Sequence, residues 1–100
     1  MNNPNKKEKL ITNIMDAIDE VRIEIDKFNR GLGLDALPQL KFIESSLEEA
    51  NRFLVLRNFA YTIRPKMNIA RLVIDTWPLD SELRHKLCQI EHEYEHMKFS

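Results

Sequence analysis

Apolar residues recur every three or four positions through the first third of the chain, and this spacing predicts an amphipathic helix. The apolar stripe comprises Ile11, Ile14, Ile18, Val21, Ile25 and Phe28, widened by Leu10 and Met15. We expect the helix to begin near Lys6, after residues 1–5, which we expect to be frayed. Gly31 and Gly33 favour an end soon after the stripe, because glycine readily takes the left-handed conformation found at helix C-termini.

A second apolar stripe predicts a helix in the middle of the chain. Its members are Leu40, Ile43, Leu47, Ala50 and Leu54, with Phe53 alongside. Asp35 and Pro38 indicate where this helix begins, because aspartate caps helix N-termini and proline is tolerated in the first turn. Asn58 is the expected stop.

The segment 68–77 is predicted to be a short third helix, with a strand as the open alternative. We expect Asn68 to cap it, and we expect Trp77 to be buried as an anchor at its end. The other inward positions are Ile69, Leu72 and Val73. β-branched residues such as Val73 and Ile74 also suit a strand, but a single strand would find no partner elsewhere in the chain.

A fourth segment predicts the last helix, which follows Pro78. Asp80 or Ser81 would cap it, and Glu82 suits the positive end of the helix dipole. Its stripe is Leu83, Leu87, Ile90, Tyr94 and Met97. Together the four segments predict an all-α fold, an antiparallel bundle of three longer helices and one short helix, in a single domain over residues 1–100.

Composition narrows the class of protein. With 100 residues the chain has room for one core, and its 2 glycines argue against a glycine-rich phosphate loop. The single cysteine, Cys88, allows no intrachain disulfide, and we interpret it as a small apolar filler. The polar start is followed by no apolar run that could serve as a signal sequence, so we expect none. No apolar run approaches the roughly 20 residues of a membrane span. We therefore expect a cytoplasmic protein without a membrane partner.

The stretch 92–96 reads His-Glu-Tyr-Glu-His and matches the H-E-x-x-H motif of zinc proteases. A catalytic zinc needs a third protein ligand, and only four residues follow His96. Tyr94 also falls on the apolar stripe, so His92 and His96, together with His85, would face outward. We therefore predict that the protein is not an enzyme, with no catalytic residue, no metal site and no cofactor.

The formal net charge of −1 conceals an acidic block on the first helix. Residues 10–29 carry five acidic and two basic side chains, a net charge of −3. The predicted outward face comprises Asp16, Asp19, Glu20, Ile23 and Glu24. Like charges four residues apart destabilise a helix by up to about 0.5 kcal/mol per pair, so a stability-driven sequence would interleave lysines there. We interpret this face either as a docking surface for a basic partner or as an ordinary solvated face.

Residues 57–71 form the opposite block, with a charge of +4 and no acid. Its candidate contact residues are Arg57, Tyr61, Arg64, Lys66 and Arg71, with Phe59 interleaved. Basic and aromatic side chains together suit phosphate contacts and base stacking. The aromatics would equally suit the end of the bundle, and a nucleic-acid-binding domain is usually basic overall, so we do not expect nucleic acid to be the main partner.

The chain resembles small bacterial immunity proteins, the antidote half of toxin–immunity pairs such as those of contact-dependent inhibition. The resemblance is carried by the short helical domain, the acidic first helix, and the stretch Arg71-Leu72-Val73-Ile74-Asp75-Thr76-Trp77-Pro78 leading into Ser81-Glu82-Leu83. The Asp-Ser-Tyr-Tyr signature of nuclease-colicin immunity proteins is absent, so the contact residues of that subfamily are not carried over. The resemblance implies a stoichiometric inhibitor, with no turnover and one cognate toxin.

Our leading hypothesis is therefore a toxin-binding protein whose acidic first helix occludes a basic active site, for example that of a nuclease. The alternative hypothesis is a homodimeric helical regulator that binds nucleic acid through the basic segment 57–71. Heptad-like spacing of the first stripe leaves dimerisation open in either case.

Overall fold

The structure is a computed structural model, which describes residues 6–31, 37–56, 66–77, 79 and 81–97. Its helices are α1 (Lys6–Asn29), α2 (Leu37–Leu56), α3 (Ala70–Thr76) and α4 (Glu82–His96). No strand occurs within these described ranges. The all-α prediction is confirmed, with three longer helices and one short helix of seven residues.

Helix α1 ends where the glycines predicted. Asn29 is its last residue, and Gly31 follows in the left-handed conformation with φ of 75°. The Gly31 amide donates to the carbonyl of Phe28 at 2.9 Å, which closes the last turn. Leu10, Ile14, Ile18, Val21 and Ile25 are buried. Since all of these lie on one side of the helix, the 3.6-residue pattern of the sequence translates directly into a buried face.

Two residues assigned to the α1 stripe are exposed, and a third, Ile11, packs against the core from a half-buried position. Met15 is 53% exposed, because it follows Ile14 by one position and so lies about 100° around the helix. Phe28 shares the phase of the stripe but is 37% exposed in the last turn of α1, beyond the last buried position at Ile25. Ala17, which the stripe omitted, is fully buried.

Helix α2 buries the predicted stripe, with Leu40, Ile43, Leu47, Ala50 and Leu54 all at most 1% exposed. Pro38 is the second residue of the helix, where its missing N–H costs no hydrogen bond. The predicted cap Asp35 and the predicted stop Asn58 lie outside the described residues.

Segment 68–77 contains a helix and not a strand, but its start differs from the prediction. Asn68 does not cap α3, because it adopts a positive φ of 56° and the N-cap position falls on Ile69. The cap comes instead from α4, where Glu91 Oε1 accepts hydrogen bonds from the amides of Ile69 at 2.6 Å and Ala70 at 3.1 Å. A carboxylate placed there satisfies free amides and favours the positive end of the helix dipole.

Helix α4 begins as predicted at Ser81, whose hydroxyl accepts a hydrogen bond from the Arg84 amide at 3.1 Å. Leu87, Ile90 and Tyr94 are buried, while Leu83 and Met97 pack against the core from half-buried positions. Trp77 is buried, as predicted, next to the connection between α3 and α4.

Helix α1 is the shared element of the fold. It packs against α2 and against α4, and α3 packs on α4, whereas no Cα atoms of α2 and α4 approach within 8 Å in the described chain. The Glu91 contact places the start of α3 beside the later part of α4, so these two helices are antiparallel. The buried side chains of all four helices form one continuous core. One face of α1 is therefore covered neither by α2 nor by α4.

Candidate functional site: the outward face of α1

The outward face of α1 carries the residues that the sequence singled out. Asp16, Asp19 and Ile23 are exposed, and Ile23 retains 55% of its surface. Their spacing of three and four residues places them side by side on the helix. Val21 and Ile25, which flank Ile23 in sequence, are buried on the opposite side. A bulky apolar side chain is thus presented to solvent one turn after Asp19 and two turns after Asp16.

The remaining acids of α1 are not equally available. Glu20 Oε2 lies 2.6 Å from Lys86 Nζ of α4, so this carboxylate bridges two helices. Glu24 pairs with Lys27 at 3.1 Å within α1. Both predicted site residues are half-buried. Glu20 and Glu24 therefore belong in part to the fold, and the predicted face of five residues narrows to a smaller free surface.

Asp16 and Asp19 have no ion-pair partner among the residues that the structure describes. Arg22, three residues after Asp19, is directed to α2, where its Nε lies 2.9 Å from Glu44 and its Nη2 lies 3.6 Å from Glu48. The hydrogen bond with Glu44 is the main reason that the pKa of Arg22 is raised, and Asp19 adds only a smaller coulombic contribution. We call Asp16, Asp19 and Ile23 the acidic patch.

The ion pair between Glu20 of α1 and Lys86 of α4 also compensates part of the like-charge repulsion along α1. Asp16 and Glu20 are four residues apart, as are Glu20 and Glu24, so α1 carries adjacent like charges. Lys86 offsets the charge of the central member, Glu20. Exposed pairs of this kind contribute at most about 1 kcal/mol, so the bridge offsets the repulsion without adding much net stability.

The basic segment is described only in part. Lys66 and Arg71 are exposed, which is compatible with contacts to phosphate or to another protein. Arg57, Tyr61 and Arg64 lie outside the described residues, as does Phe59. The alternative nucleic-acid surface therefore has two located members, one on the segment before α3 and one on its second residue.

Helix α4 carries three histidines, the single cysteine and a buried arginine. His85, His92 and His96 are all exposed, as the helical phase predicted. Cys88 is half-buried, and burial raises the pKa of its thiol, which disfavours the reactive thiolate. Sequence reasoning missed Arg84, which is only 8% exposed and whose Nε has no hydrogen-bond partner within the described chain. The sequence signal for the burial of Arg84 was its position one turn before Cys88, on the helix face that also carries Glu91.

Comparisons with known proteins identify no relative of this chain. A scan against protein-family models, a search of curated proteins and a search of solved structures each found no match. Among the described helices, none combines the length and the apolar character needed to cross a bilayer.

Proposed function

We propose that this protein is a stoichiometric inhibitor of the immunity type, which binds one cognate protein toxin through the acidic patch on α1. The observation that carries the proposal is the combination of Ile23, 55% exposed, with two carboxylates that no described base neutralises. A face that serves only solubility would also carry unpaired acids, but it does not need the exposed isoleucine.

The chemistry of the patch indicates the chemistry of its partner. Carboxylates at Asp16 and Asp19 suit a surface rich in lysine and arginine, and opposite charge raises the rate of association. Ile23 supplies the apolar contact that would sit at the centre of such an interface, where water is excluded. A basic active site, such as that of a nuclease, offers a surface of this kind, and its occlusion would inhibit without turnover.

The rigid setting of the patch also supports an inhibitory role. Helix α1 is held on one flank by the Arg22–Glu44 contact and on the other by the Glu20–Lys86 contact. A surface that is ordered before binding loses less conformational entropy in the complex. The buried stripe of α1, packed against α2 and α4, therefore orders the patch before binding, and the two flanking ion pairs add little to this.

The structure identifies which charges to reverse in a test. Asp16→Lys with Asp19→Lys removes the two unpaired carboxylates and leaves the Glu20–Lys86 bridge in place. A matched control is Glu49→Lys with Asp75→Lys, which makes the same change in net charge at exposed sites on α2 and α3. Both double variants should fold like the parent protein, as judged by circular dichroism.

The experiment begins by purifying the tagged protein from its native host and identifying what co-purifies. We expect a larger protein in one-to-one complex that arrests growth when expressed alone and is tolerated when this chain is co-expressed. Asp16→Lys with Asp19→Lys should weaken the complex at least about tenfold, mainly through slower association, and should abolish protection. Ile23→Ser should act mainly through faster dissociation.

Two results would contradict the proposal. Full protection by the Asp16→Lys with Asp19→Lys variant would exclude the acidic patch as the binding surface. Recovery of RNA or DNA, with retention that falls as salt concentration rises, would instead favour the nucleic-acid hypothesis based on Lys66, Arg71 and the rest of segment 57–71.

A further inference from the structure

Two imidazoles lie together on the outer face of α4, away from the acidic patch. His92 and His96 are both exposed and are separated by one helical turn. Their ring centroids are 4.3 Å apart, with an angle of 37° between the ring planes. This proximity brings two nitrogen ligands to one side of the helix, where solvent reaches both.

The separation of the rings matches what chelation requires. Metal–nitrogen bonds to histidine are about 2.0–2.1 Å long, so two imidazoles bound in cis to one ion hold their centroids roughly 4.5–5 Å apart. The observed 4.3 Å is close to this distance. Both side chains are exposed, so their rings are free to rotate toward one ion.

The hydrogen bonding of His96 leaves the correct nitrogen free. Its Nδ1 lies 2.8 Å from the carbonyl oxygen of His92, and because a carbonyl only accepts, Nδ1 carries the proton. Nε2 of the neutral ring then holds the lone pair. Histidines that bind metals commonly donate their other nitrogen in this way, which fixes the tautomer and the orientation of the ring.

The site is open, because the described residues supply only two ligands to it. No group of three histidine, cysteine, aspartate or glutamate side chains within the described ranges is arranged to hold a metal ion. Glu93, next to His92, accepts a hydrogen bond from Gln89 at 3.1 Å. An ion at this place would keep several positions for water or for a ligand of another molecule, unlike the closed shell of a structural zinc site.

We propose that His92 and His96 chelate one divalent late transition-metal ion through their Nε2 atoms, with the remaining coordination positions open. Imidazole pairs suit Ni²⁺, Cu²⁺ and Zn²⁺, and their affinity for the earlier ions Co²⁺ and Mn²⁺ is lower. This proposal departs from the expectation of no metal site, which the sequence supported for a catalytic zinc. A chelating pair needs neither a third protein ligand nor a catalytic glutamate. It is also independent of the proposed toxin binding.

The chain contains its own control for the test. His85 is exposed on the same helix, seven residues before His92, but its Nε2 donates to the carbonyl of Leu79 at 2.8 Å and it has no second imidazole one turn away. Replacing any one of the three histidines by alanine removes one imidazole from an exposed helical position. Only the pair should matter if chelation is the mechanism.

Isothermal titration of the full chain with NiCl₂ measures the binding, since Cu²⁺ would oxidise the free thiol of Cys88. We expect one ion per chain, with affinity falling from Ni²⁺ to Co²⁺ to Mn²⁺. His92→Ala and His96→Ala should each weaken Ni²⁺ binding at least about tenfold, whereas His85→Ala should change it less than about twofold. Circular dichroism of the variants checks that the helix content is unchanged.

A second measurement tests the coordinating atoms. Titration with diamagnetic Zn²⁺, followed by nuclear magnetic resonance of the imidazole nitrogens, should shift Nε2 of His92 and His96 and leave His85 unmoved. Equal loss of affinity in all three alanine variants would overturn the proposal by showing diffuse surface binding. Unchanged affinity in His92→Ala and His96→Ala, or no saturable binding by the parent chain, would overturn it equally.

Discussion

The two hairpins of this protein, α1–α2 and α3–α4, are held by different kinds of interaction. Helices α1 and α2 are 24 and 20 residues long, and each buries a continuous apolar stripe. Helix α3 has seven residues, of which only Val73 is buried, and its first turn is capped by Glu91 of α4. Long helices can be specified by their own periodicity, whereas a short helix needs a partner to supply what its sequence lacks.

The largest loss of stability should come from truncating a core side chain of α2. Leu47 is fully buried at the centre of the α2 stripe, so Leu47→Ala should lower the free energy of unfolding by about 2–5 kcal/mol. Urea denaturation monitored by circular dichroism measures the change. Phe42→Ala on the same helix is the control, because Phe42 is 47% exposed and should cost less than about 1 kcal/mol. Equal losses would mean that the stripe does not form the core.

A smaller and more local effect should follow from removing the cap of α3. Glu91→Ala deletes the acceptor for the amides of Ile69 and Ala70 and should cost about 0.5–2 kcal/mol. Hydrogen exchange should speed up mainly in α3, while α1 and α2 keep their protection. Glu91→Gln, which retains an acceptor oxygen, should recover part of the loss. A uniform loss of protection across all four helices would contradict the local role of this contact.

The smallest effect should arise at the end of α1. Gly31 has a φ of 75°, and a Cβ built on it would meet no atom within 4 Å, so Gly31→Ala costs only backbone strain. We expect a loss of about 1 kcal/mol in the free energy of unfolding. Gly31→Asn should cost less, because asparagine tolerates the left-handed region better than alanine. A thermal melt of both variants checks the order, and an alanine variant as stable as the parent would show that this turn can relax.

The parts of the fold that are specified locally could be predicted from the sequence, and the start of α3 could not. Residues such as Ile14, Leu47 and Ile90 were correctly placed in the core because their periodicity is local information. Asn68 was wrongly assigned as a cap, because the true cap, Glu91, lies more than twenty residues later in the chain. Nothing in the sequence near α3 marks that carboxylate as its partner.

The candidate site was predictable to a similar extent. Exposure of Asp16, Asp19 and Ile23 follows from their phase on α1, and the structure agrees. The pairing of Glu20 with Lys86 was not predictable, since 66 residues separate them and either side chain alone looks like an ordinary surface charge. Charge patterning therefore located the face, and only the tertiary structure showed which of its carboxylates are committed elsewhere.

The position of α1 between two helices whose Cα atoms all lie more than 8 Å apart has a consequence for synthesis on the ribosome. Helix α2 follows α1 directly, so their contacts can form while the rest of the chain is still being made. The flank of α1 that receives α4 stays uncovered until residues 82–96 emerge. A nascent chain stalled before that point would display an apolar surface that the finished protein hides, and would be the species most in need of a chaperone.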